Sequence, residues 1–459
     1  MINKNQIRSV LLANIRSNPE FLKAAALVWL ALVGAYAFGA VSATKQYWPY
    51  SQIQAAWQFV VGHPEERTTL WQKIVNDTGG PPLRHVGSPA PKAYPDSAYN
   101  ALDGLRLNAE RAPPLVYLGK DALRGYRVIF GVFDFQQSLY GAILLDPDGK
   151  VQNTWQITQN DLPWPHQPDP LIFPHGFEVT RDGSIIVAYE KGTSLTKYDY
   201  CGRKQWQLEG GFHHSIDLFD EETFWVWGNS VSRQVYGREL MQLSVEDGSI
   251  VRRFGILDII AANPDIDILG IRQIDTESGS TWAKDPFHYN DIDPLPEELA
   301  RHYPNFDAGD LLVSLRSLNL IFVVDPRSLK VKWWRQGLAR RQHDPDWNTR
   351  GTITIYNNNM HRGRSSIIEV DPQSMESRTL IDGADYGFYS WMRGKHQELP
   401  DGSVLITSSQ QGRVFEIAPD GTVTFDFHNT FSEEHGALAV SEARFLSLDY
   451  FQELPKCED

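Results

Sequence analysis

Short runs of alternating apolar and polar residues dominate the chain from about residue 115 onward. Each run is rich in β-branched and aromatic residues and stops at a turn marked by Asp-Gly, Asp-Pro or a lone glycine. A period of two in short runs between turn residues is typical of β-strands. This part of the chain is therefore predicted to be all-β.

The strand pattern repeats. One strand has six aligned copies, which read RVIFGVFD, SIIVAYEK, TFWVWGNS, DLLVSLRS, TITIYNNN and SVLITSSQ. Two further apolar strands follow each copy, and the whole unit recurs at roughly 40–55 residues. Six such units predict a six-bladed β-propeller over residues 115–455, with an open solenoid or β-helix as the alternative. The late strand at 442–451 is expected to return to the first blade and close the ring.

The N-terminal region has a different pattern. Residues 24–44 form a run of 21 residues without a formal charge, long enough for a transmembrane helix. Four basic residues and a single acid, Glu20, precede it, so the positive-inside rule predicts that residues 1–23 are cytoplasmic. A cleavable signal peptide ending near Ala43 is the alternative. In both cases the propeller is predicted to be periplasmic or extracellular.

Between the apolar run and the propeller lie residues 45–114. Residues 51–77 carry a helical pattern that is broken at His63-Pro64, and residues 79–112 are rich in Pro, Gly, Ser and Ala. A short helical segment followed by an irregular linker or wrapping arm is predicted here.

Composition excludes some functions. The formal net charge of −14 and the pI near 5.4 argue against nucleic-acid binding, which requires a basic surface. Two cysteines, Cys201 and Cys457, are too few for a disulfide framework or a cysteine metal site. The sequence leaves open whether they pair.

Histidines hold equivalent places in several repeats. His175, His214 and His343 each stand eight residues before the aligned turn position, and His288 and His396 open two further repeats. These positions begin the innermost strand of a blade, so the imidazoles are predicted to converge at one mouth of the central channel. The second strand runs antiparallel and ends at the same mouth. It contributes Glu190, Asn229, Arg316, Asn358 and Ser409.

An arginine among imidazoles favours binding of a sulfate-like or phosphate-like anion, because a guanidinium stays charged and binds two oxygens at once. A neutral histidine can attack sulfur or phosphorus, and a protonated one can supply a proton to the leaving oxygen. Converging imidazoles also suit a metal, but Arg316 would repel a cation, so neither metal nor cofactor is predicted. His175 and His396 are interpreted as structural, and His302, His361 and His428 as loop residues.

Five segments resemble the aryl-sulfate sulfotransferase family of bacterial propeller enzymes, in the family's order. They are GAILLDPDGKVQNTWQI, FHHSIDL, FHYNDID, LLVSLRSLNLIFVVD, and RQHDPDW followed by GTITIYNN. The resemblance covers about residues 115–450. It implies transfer of a sulfuryl group from an aryl sulfate to a phenol through a sulfated histidine, without a nucleotide donor or a metal.

The resemblance also implies site residues. His343 would be the nucleophile, Arg316 and His288 would hold the sulfuryl oxygens, and His214 would assist the phenolic oxygen. The residues predicted to line the substrate site are His213, Asn290, Asn358 and Asn229.

Several positions depart from the family pattern. Ser215 replaces an aspartate after the paired histidines, and Leu315 and Ser317 flank the arginine in place of Ser and His. A membrane helix stands where better-known members carry a β-domain, and insertions occupy 256–286, which is expected to roof the pocket, and 294–308.

The first hypothesis is therefore a membrane-anchored periplasmic aryl-sulfate sulfotransferase, held in the lipid bilayer by residues 24–44. The alternative is a non-catalytic propeller subunit that binds or braces a membrane protein complex on the periplasmic side. A hydrolase or lyase acting on another anionic substrate is a third hypothesis.

Overall fold

The computed structural model describes residues 23, 27–30, 32–35, 38, 86–87, 89–109, 111–136, 138–157, 174–189, 194–228, 239–267, 287–432 and 436–457. The chain divides into two compact units, residues 1–75 and 76–459. In the first unit, the described positions are helical and exposed. Across all described residues, no helix is both long enough and apolar enough to cross a membrane. Most of the predicted span 24–44, and all of the predicted helical segment 51–77, lie outside the described residues.

The second unit is the predicted six-bladed propeller. Each blade is an antiparallel sheet whose strands follow one another from the central channel outward. In that order, blade 1 consists of Val440–Leu446, Tyr126–Val132, Tyr140–Leu145 and Val151–Ile157. Blade 2 consists of Pro174–Val179, Ile185–Tyr189, Ser194–Tyr198 and Lys204–Glu209. Blade 3 consists of His213–Leu218, Thr223–Gly228, Glu239–Ser244 and Ile250–Gly255.

The remaining three blades follow in chain order. Blade 4 consists of Tyr289–Pro294, Leu311–Leu315, Leu320–Val324 and Val331–Gln336. Blade 5 consists of His343–Trp347, Ile353–Asn357, Ser366–Val370 and Ser377–Asp382. Blade 6 consists of Lys395–Glu398, Val404–Ser408, Arg413–Ile417 and Val423–His428. The six innermost strands contact one another in a closed ring.

The ring is closed as the sequence predicts. Strand Val440–Leu446 pairs antiparallel with Tyr126–Val132 and supplies the innermost strand of blade 1. It begins two residues earlier and ends five residues earlier than expected, because a turn starts just after Leu446. A Cβ atom on Gly131 would lie 2.6 Å from the carbonyl oxygen of Ala439, so this junction requires a glycine.

The arm before the propeller packs on blade 6. Strand Leu115–Leu118 pairs with Val423–His428 as a fifth strand, and Asn100–Ala101 pairs with it in turn. The Tyr99 hydroxyl donates a hydrogen bond of 2.6 Å to Asp426. These added strands cover an edge that would otherwise expose unpaired backbone groups. A small separate sheet joins Val86–Gly87, Gly436–Leu438 and Thr430–Ser432.

The apolar core lies between the blades. Phe130 of blade 1 stacks on Phe177 of blade 2 with ring centroids 4.4 Å apart, and Trp227 of blade 3 lies 4.4 Å from Tyr289 of blade 4. The middle strands bury side chains on both faces, which explains their nearly continuous apolar sequences.

Short helices occupy the insertions. Helix Ile256–Ala262 follows blade 3 directly, and the Asp258 carboxylate accepts a hydrogen bond from the Gly255 amide at its start. Residues 268–286, part of the expected roof, lie outside the described residues. The second insertion carries helix Glu297–Ala300 and packs Tyr303 and Phe306 against Trp347 of blade 5.

The chain after the closing strand is fastened to blade 2. Cys201 and Cys457, whose pairing the sequence leaves open, form a disulfide bond. The Tyr450 hydroxyl donates a hydrogen bond to the carbonyl oxygen of Val179, and the Arg181 guanidinium lies 5.2 Å from the Tyr450 ring centroid.

Candidate functional site

Four of the predicted histidines meet at one end of the central channel. Ring centroids are 4.3 Å apart for His175 and His214, 5.2 Å for His214 and His288, and 6.2 Å for His214 and His343. His175, His214 and His343 are buried, and His288 is half-buried. Four imidazoles from consecutive blades therefore form one cluster, in which His214 is central.

A shared backbone irregularity aims these side chains inward. The innermost strands of blades 2, 3, 4 and 5 each shift register by a bulge close to their histidine. His214 and His288 have positive φ angles of 59° and 50°, in the left-handed region that such bulges use. Blade 6 pairs regularly from Lys395 to Glu398, and its His396 does not join the cluster. In the sequence, His396 stands six residues before its turn position, whereas His175, His214 and His343 stand eight residues before theirs. This shorter spacing is the sequence signal of that difference.

His343 is held in one orientation and one tautomer. Its Nδ1 lies 2.7 Å from Asn358 Oδ1, and the Asn358 amide nitrogen donates hydrogen bonds to the carbonyl oxygens of Ser390 and Arg393. Because these donations turn Oδ1 toward the ring, His343 carries its proton on Nδ1 and its lone pair on Nε2. The backbone N–H of Arg393 donates to Nε2 at 3.2 Å.

Burial and a neighbouring positive charge keep His343 neutral. Burial, and then the positive charge of Arg316, hold the pKa of His343 well below its ordinary value of 6.5. Arg316 follows strand Leu311–Leu315 directly, and its backbone N–H donates to the carbonyl oxygen of His288 at 3.0 Å. The predicted anion-binding arginine is thus next to the predicted nucleophile.

The other predicted substrate residues are placed differently. Asn290 is buried beside the imidazoles, and its amide nitrogen donates to the carbonyl oxygen of Gln342 at 2.6 Å. Asn358 lies behind His343 and orients it. His213 begins its strand, with its side chain outside the described part, and Asn229 lies outside the described residues altogether, as does Glu190.

The positions that depart from the family pattern have structural contacts. Ser215 Oγ accepts a hydrogen bond from the Ile292 backbone at 3.1 Å and joins blade 3 to blade 4. Ser317 Oγ accepts one from the Arg341 guanidinium at 3.3 Å, and Leu315 is buried in the core. These substitutions leave the imidazole cluster assembled.

The enclosed space is small. A cavity of about 10 Å³ lies among residues that include His175, His214, Asn290, His343 and Lys395. That volume holds about one water molecule. The described residues therefore form a tightly packed polar base for a site.

Sequence reasoning missed the segment Arg393–Lys395. The Arg393 backbone N–H contacts His343 Nε2, and Lys395 Nζ pairs with Asp291 and Asp344 at 3.0 and 2.6 Å. His396, interpreted from the sequence as structural, joins blade 6 to blade 5, since its Nδ1 lies 2.9 Å from Asp344 Oδ2. These partners come from other blades and are distant in sequence.

Three further histidines among the described residues lie away from the cluster. His302 and His361 lie in turns, as predicted. His428 was expected in a loop, but it is the buried last residue of strand Val423–His428, with Nε2 3.1 Å from Asp426 Oδ1. His166 lies outside the described residues.

Comparison with known proteins agrees with this geometry. The sequence profile described as arylsulfotransferase (ASST) matches residues 122–430, about two thirds of the chain. The chain belongs to the arylsulfotransferase family. The matched region contains His214, His288, Arg316 and His343, and it confirms the family resemblance. Among curated proteins, none matches the sequence.

Solved structures resemble this arylsulfotransferase-family chain only distantly. A protein of unknown function from Bacteroides caccae is 11% identical, with 71% of this chain and 99% of that chain covered and a TM-score of 0.47. TolB from Acinetobacter baumannii is 12% identical, with 70% and 67% covered and a TM-score of 0.43. Virginiamycin B lyase from Staphylococcus aureus is 10% identical, with 55% and 69% covered and a TM-score of 0.32. At this level of similarity, these structures support no conclusion about the function of the chain.

Proposed function

We propose that this family member is an aryl-sulfate sulfotransferase that moves a sulfuryl group from a phenolic sulfate ester to a phenolic acceptor through a sulfohistidine at His343. One observation carries the proposal. His343 is a buried, neutral imidazole with its proton directed to Asn358 and its lone pair on Nε2, beside the charge of Arg316. Such an imidazole is a competent nucleophile, and such a guanidinium binds oxyanions.

The first half-reaction forms the sulfohistidine. The Nε2 lone pair attacks sulfur, the sulfur–oxygen bond to the aryl group breaks, and the phenolate leaves with the bonding electrons. His214, at the centre of the cluster, donates a proton to that phenolate. Arg316 and His288 stabilise the charge on the sulfuryl oxygens. The hydrogen bond from Arg393 N–H to Nε2 has to open before attack.

The second half-reaction reverses these roles. An acceptor phenol gives its proton to His214, its oxygen attacks sulfur, and the nitrogen–sulfur bond returns its electrons to Nε2. Asn358 Oδ1 accepts the Nδ1–H throughout and stabilises the positive charge of the sulfated imidazole. Because Asn358 is neutral, it leaves the ring electron-poor enough to be a good leaving group.

We also propose that residues 24–44 anchor the enzyme as a single-pass membrane protein with the propeller on the periplasmic side. Two observations support this location: the uncharged run of 21 residues, and the disulfide between Cys201 and Cys457. Disulfides persist in oxidising compartments such as the periplasm.

A second candidate function is a non-catalytic propeller that binds a membrane protein complex. The small enclosed volume of about 10 Å³ and the occupied lone pair of His343 favour it. Both candidate functions require a folded propeller, but only the enzyme would turn over an aryl sulfate.

The test is a transfer assay with the purified protein, a chromogenic aryl sulfate and excess phenol. We expect phenolate release, together with a mass gain of one sulfuryl group when donor is supplied alone. Both should be lost in His343→Asn and kept in His302→Asn, a matched change in a remote turn. Absence of turnover and of the adduct across a panel of donors would contradict the enzyme hypothesis and favour the non-catalytic one.

A further inference from the structure

The central channel changes character below the imidazole cluster. The innermost strands direct eight carboxylates into it: Glu178, Asp217, Asp291, Asp293, Asp344, Asp346, Glu398 and Glu442. Among the described residues, Lys395 and Arg444 pair with five of these acids, and Arg350 pairs with Glu398. The channel therefore carries a surplus of negative charge.

Lys395 and Arg444 are already shared among five acids. Lys395 pairs with Asp291 and Asp344, at 3.0 and 2.6 Å. Arg444 lies 3.3 Å from Glu178, 3.2 Å from Asp217 and 2.8 Å from Glu442.

Asp293 and Asp346 have neither lysine nor arginine within ion-pair distance among the described residues. They are only half-buried, and both line one cavity of about 270 Å³, which has room for a cation and its water ligands.

A set of metal-ligating atoms faces this cavity. The side chains of Asp344, Asp346 and His396 offer ligand atoms that all lie within 4.8 Å of one another. His396 Nδ1 is 2.9 Å from Asp344 Oδ2 and 3.6 Å from Asp346 Oδ2. A cation could replace the proton that Nδ1 now shares with Asp344. Carboxylates and water are ligands that suit Mn²⁺, and an imidazole is a ligand for transition metals in general.

Two residues that line the cavity have a side-chain atom without a protein partner. Asp217 Oδ2 and His396 Nε2 make no hydrogen bond within the described structure, although both residues are buried. Leaving such an atom unsatisfied costs about 1–3 kcal/mol unless water or another ligand meets it. A hydrated cation supplies both positive charge and hydrogen-bonding water.

We propose that this cavity is a divalent-cation site, with Asp344, Asp346 and His396 as protein ligands and Asp293 as an outer carboxylate. Such an ion would join blades 4, 5 and 6 around the channel, on the far side of Lys395 from the imidazole cluster. The site does not depend on the proposed sulfuryl transfer.

Mn²⁺ is the probe that tests it. The purified full chain, stripped with chelator, is dialysed against Mn²⁺ and its metal content and melting temperature are measured. We expect one ion per chain and a raised melting temperature. Asp346→Asn should weaken binding at least tenfold, whereas Asp371→Asn, in a surface turn, should not. His343→Asn should bind Mn²⁺ like the wild type, which separates this test from that of the proposed function.

A second readout covers the case in which Asp346→Asn fails to fold. Trp347 lines the same cavity, so bound Mn²⁺ should quench its fluorescence, and Trp347→Phe should lose that quenching but keep the ion. Much less than one ion per chain, or quenching that is unchanged in Trp347→Phe, would overturn the proposal. Equal Mn²⁺ affinity in folded Asp346→Asn and in the wild type would do the same.

Discussion

At the scale of single residues, Asn358 decides which nitrogen of His343 carries the lone pair. Its Oδ1 accepts the Nδ1–H, and its amide group is fixed by the carbonyl oxygens of Ser390 and Arg393. In the proposed reaction it is a positioning residue, because it acts through His343. The sequence predicted that Asn358 lies at the same mouth of the channel as His343. The alignment of strand ends does not predict that Asn358 lies behind the His343 ring.

Asn358→Leu should lower kcat by about 10²-fold or more with little change in KM, because the hydrogen-bond partner that fixes the tautomer is lost. Asn358→Asp keeps an acceptor for Nδ1–H but also loses both donated hydrogen bonds. Because the acceptor is kept, it should recover part of kcat, although its buried carboxylate facing two carbonyl oxygens makes it less stable than Asn358→Leu. Steady-state kinetics and thermal melts of both variants check this. Equal loss of kcat in the two would show that Asn358 acts only through stability.

The pH dependence of transfer reports the environment of His343. Burial and Arg316 hold the pKa of His343 below 6.5, so the neutral nucleophile persists as the pH falls through 6.5. The acid limb of kcat/KM should therefore lie below pH 6.5. In Arg316→Gln the remaining activity should show that limb at higher pH, since one of the lowering charges is gone. Arg362→Gln, in an exposed turn, is the control and should leave the limb in place. A limb at the same pH in both variants would contradict the assignment.

At the scale of strands, the bulges matter as much as the histidines. Register shifts in the innermost strands of four blades turn consecutive imidazoles toward one point. The eight-residue spacing to the turn predicted the convergence of His175, His214 and His343. It did not predict the bulges, because an extra residue in a strand has no hydrophobic signature of its own. The acidic channel escaped prediction for a related reason: HDPDW and YNDIDP supply its carboxylates from different blades, and only ring closure brings them together.

Gly176 lies where the backbones of blades 2 and 3 come close together. A Cβ atom at this position would lie 1.7 Å from the carbonyl oxygen of His214. Gly176→Ala should therefore destabilise the propeller by about 1–3 kcal/mol or more and reduce transfer further by displacing His214. Gly202→Ala is the matched control, since its positive φ adds strain but no atom lies within 4 Å of the added Cβ. It should cost about 1 kcal/mol and leave activity unchanged. Denaturant titration and the transfer assay measure both effects. Equal loss of activity in Gly176→Ala and Gly202→Ala would refute the prediction that Gly176→Ala acts by displacing His214.

At the scale of the whole molecule, the fold was largely predictable because the repeat is long and regular. Six copies of one strand pattern required six sheets, and the late apolar strand fitted only an unfilled place in blade 1. The pairing of the cysteines was not predictable, because Cys201 and Cys457 are 256 residues apart and meet only through the route of the C-terminal chain.

That disulfide holds the end of the chain on blade 2. Cys457→Ser should lower the free energy of unfolding by about 2–5 kcal/mol, since a cross-link over a long loop restricts the unfolded chain. Reductant should destabilise the wild type to the same degree and leave Cys457→Ser unchanged. Denaturation curves with and without reductant measure this. A wild type unaffected by full reduction would contradict the prediction.

The closing strand also sets the order in which the molecule can be made. Strand Val440–Leu446 completes a sheet whose other three strands lie at 126–157, more than 280 residues earlier in the chain. During synthesis, blade 1 stays without its innermost strand until residue 446 has left the ribosome. Pairing between distant segments is slow and exposes strand edges while it waits. A nascent chain of this protein therefore stays open until residue 446 has emerged, which would leave time for the proposed transport across a membrane before the ring can close.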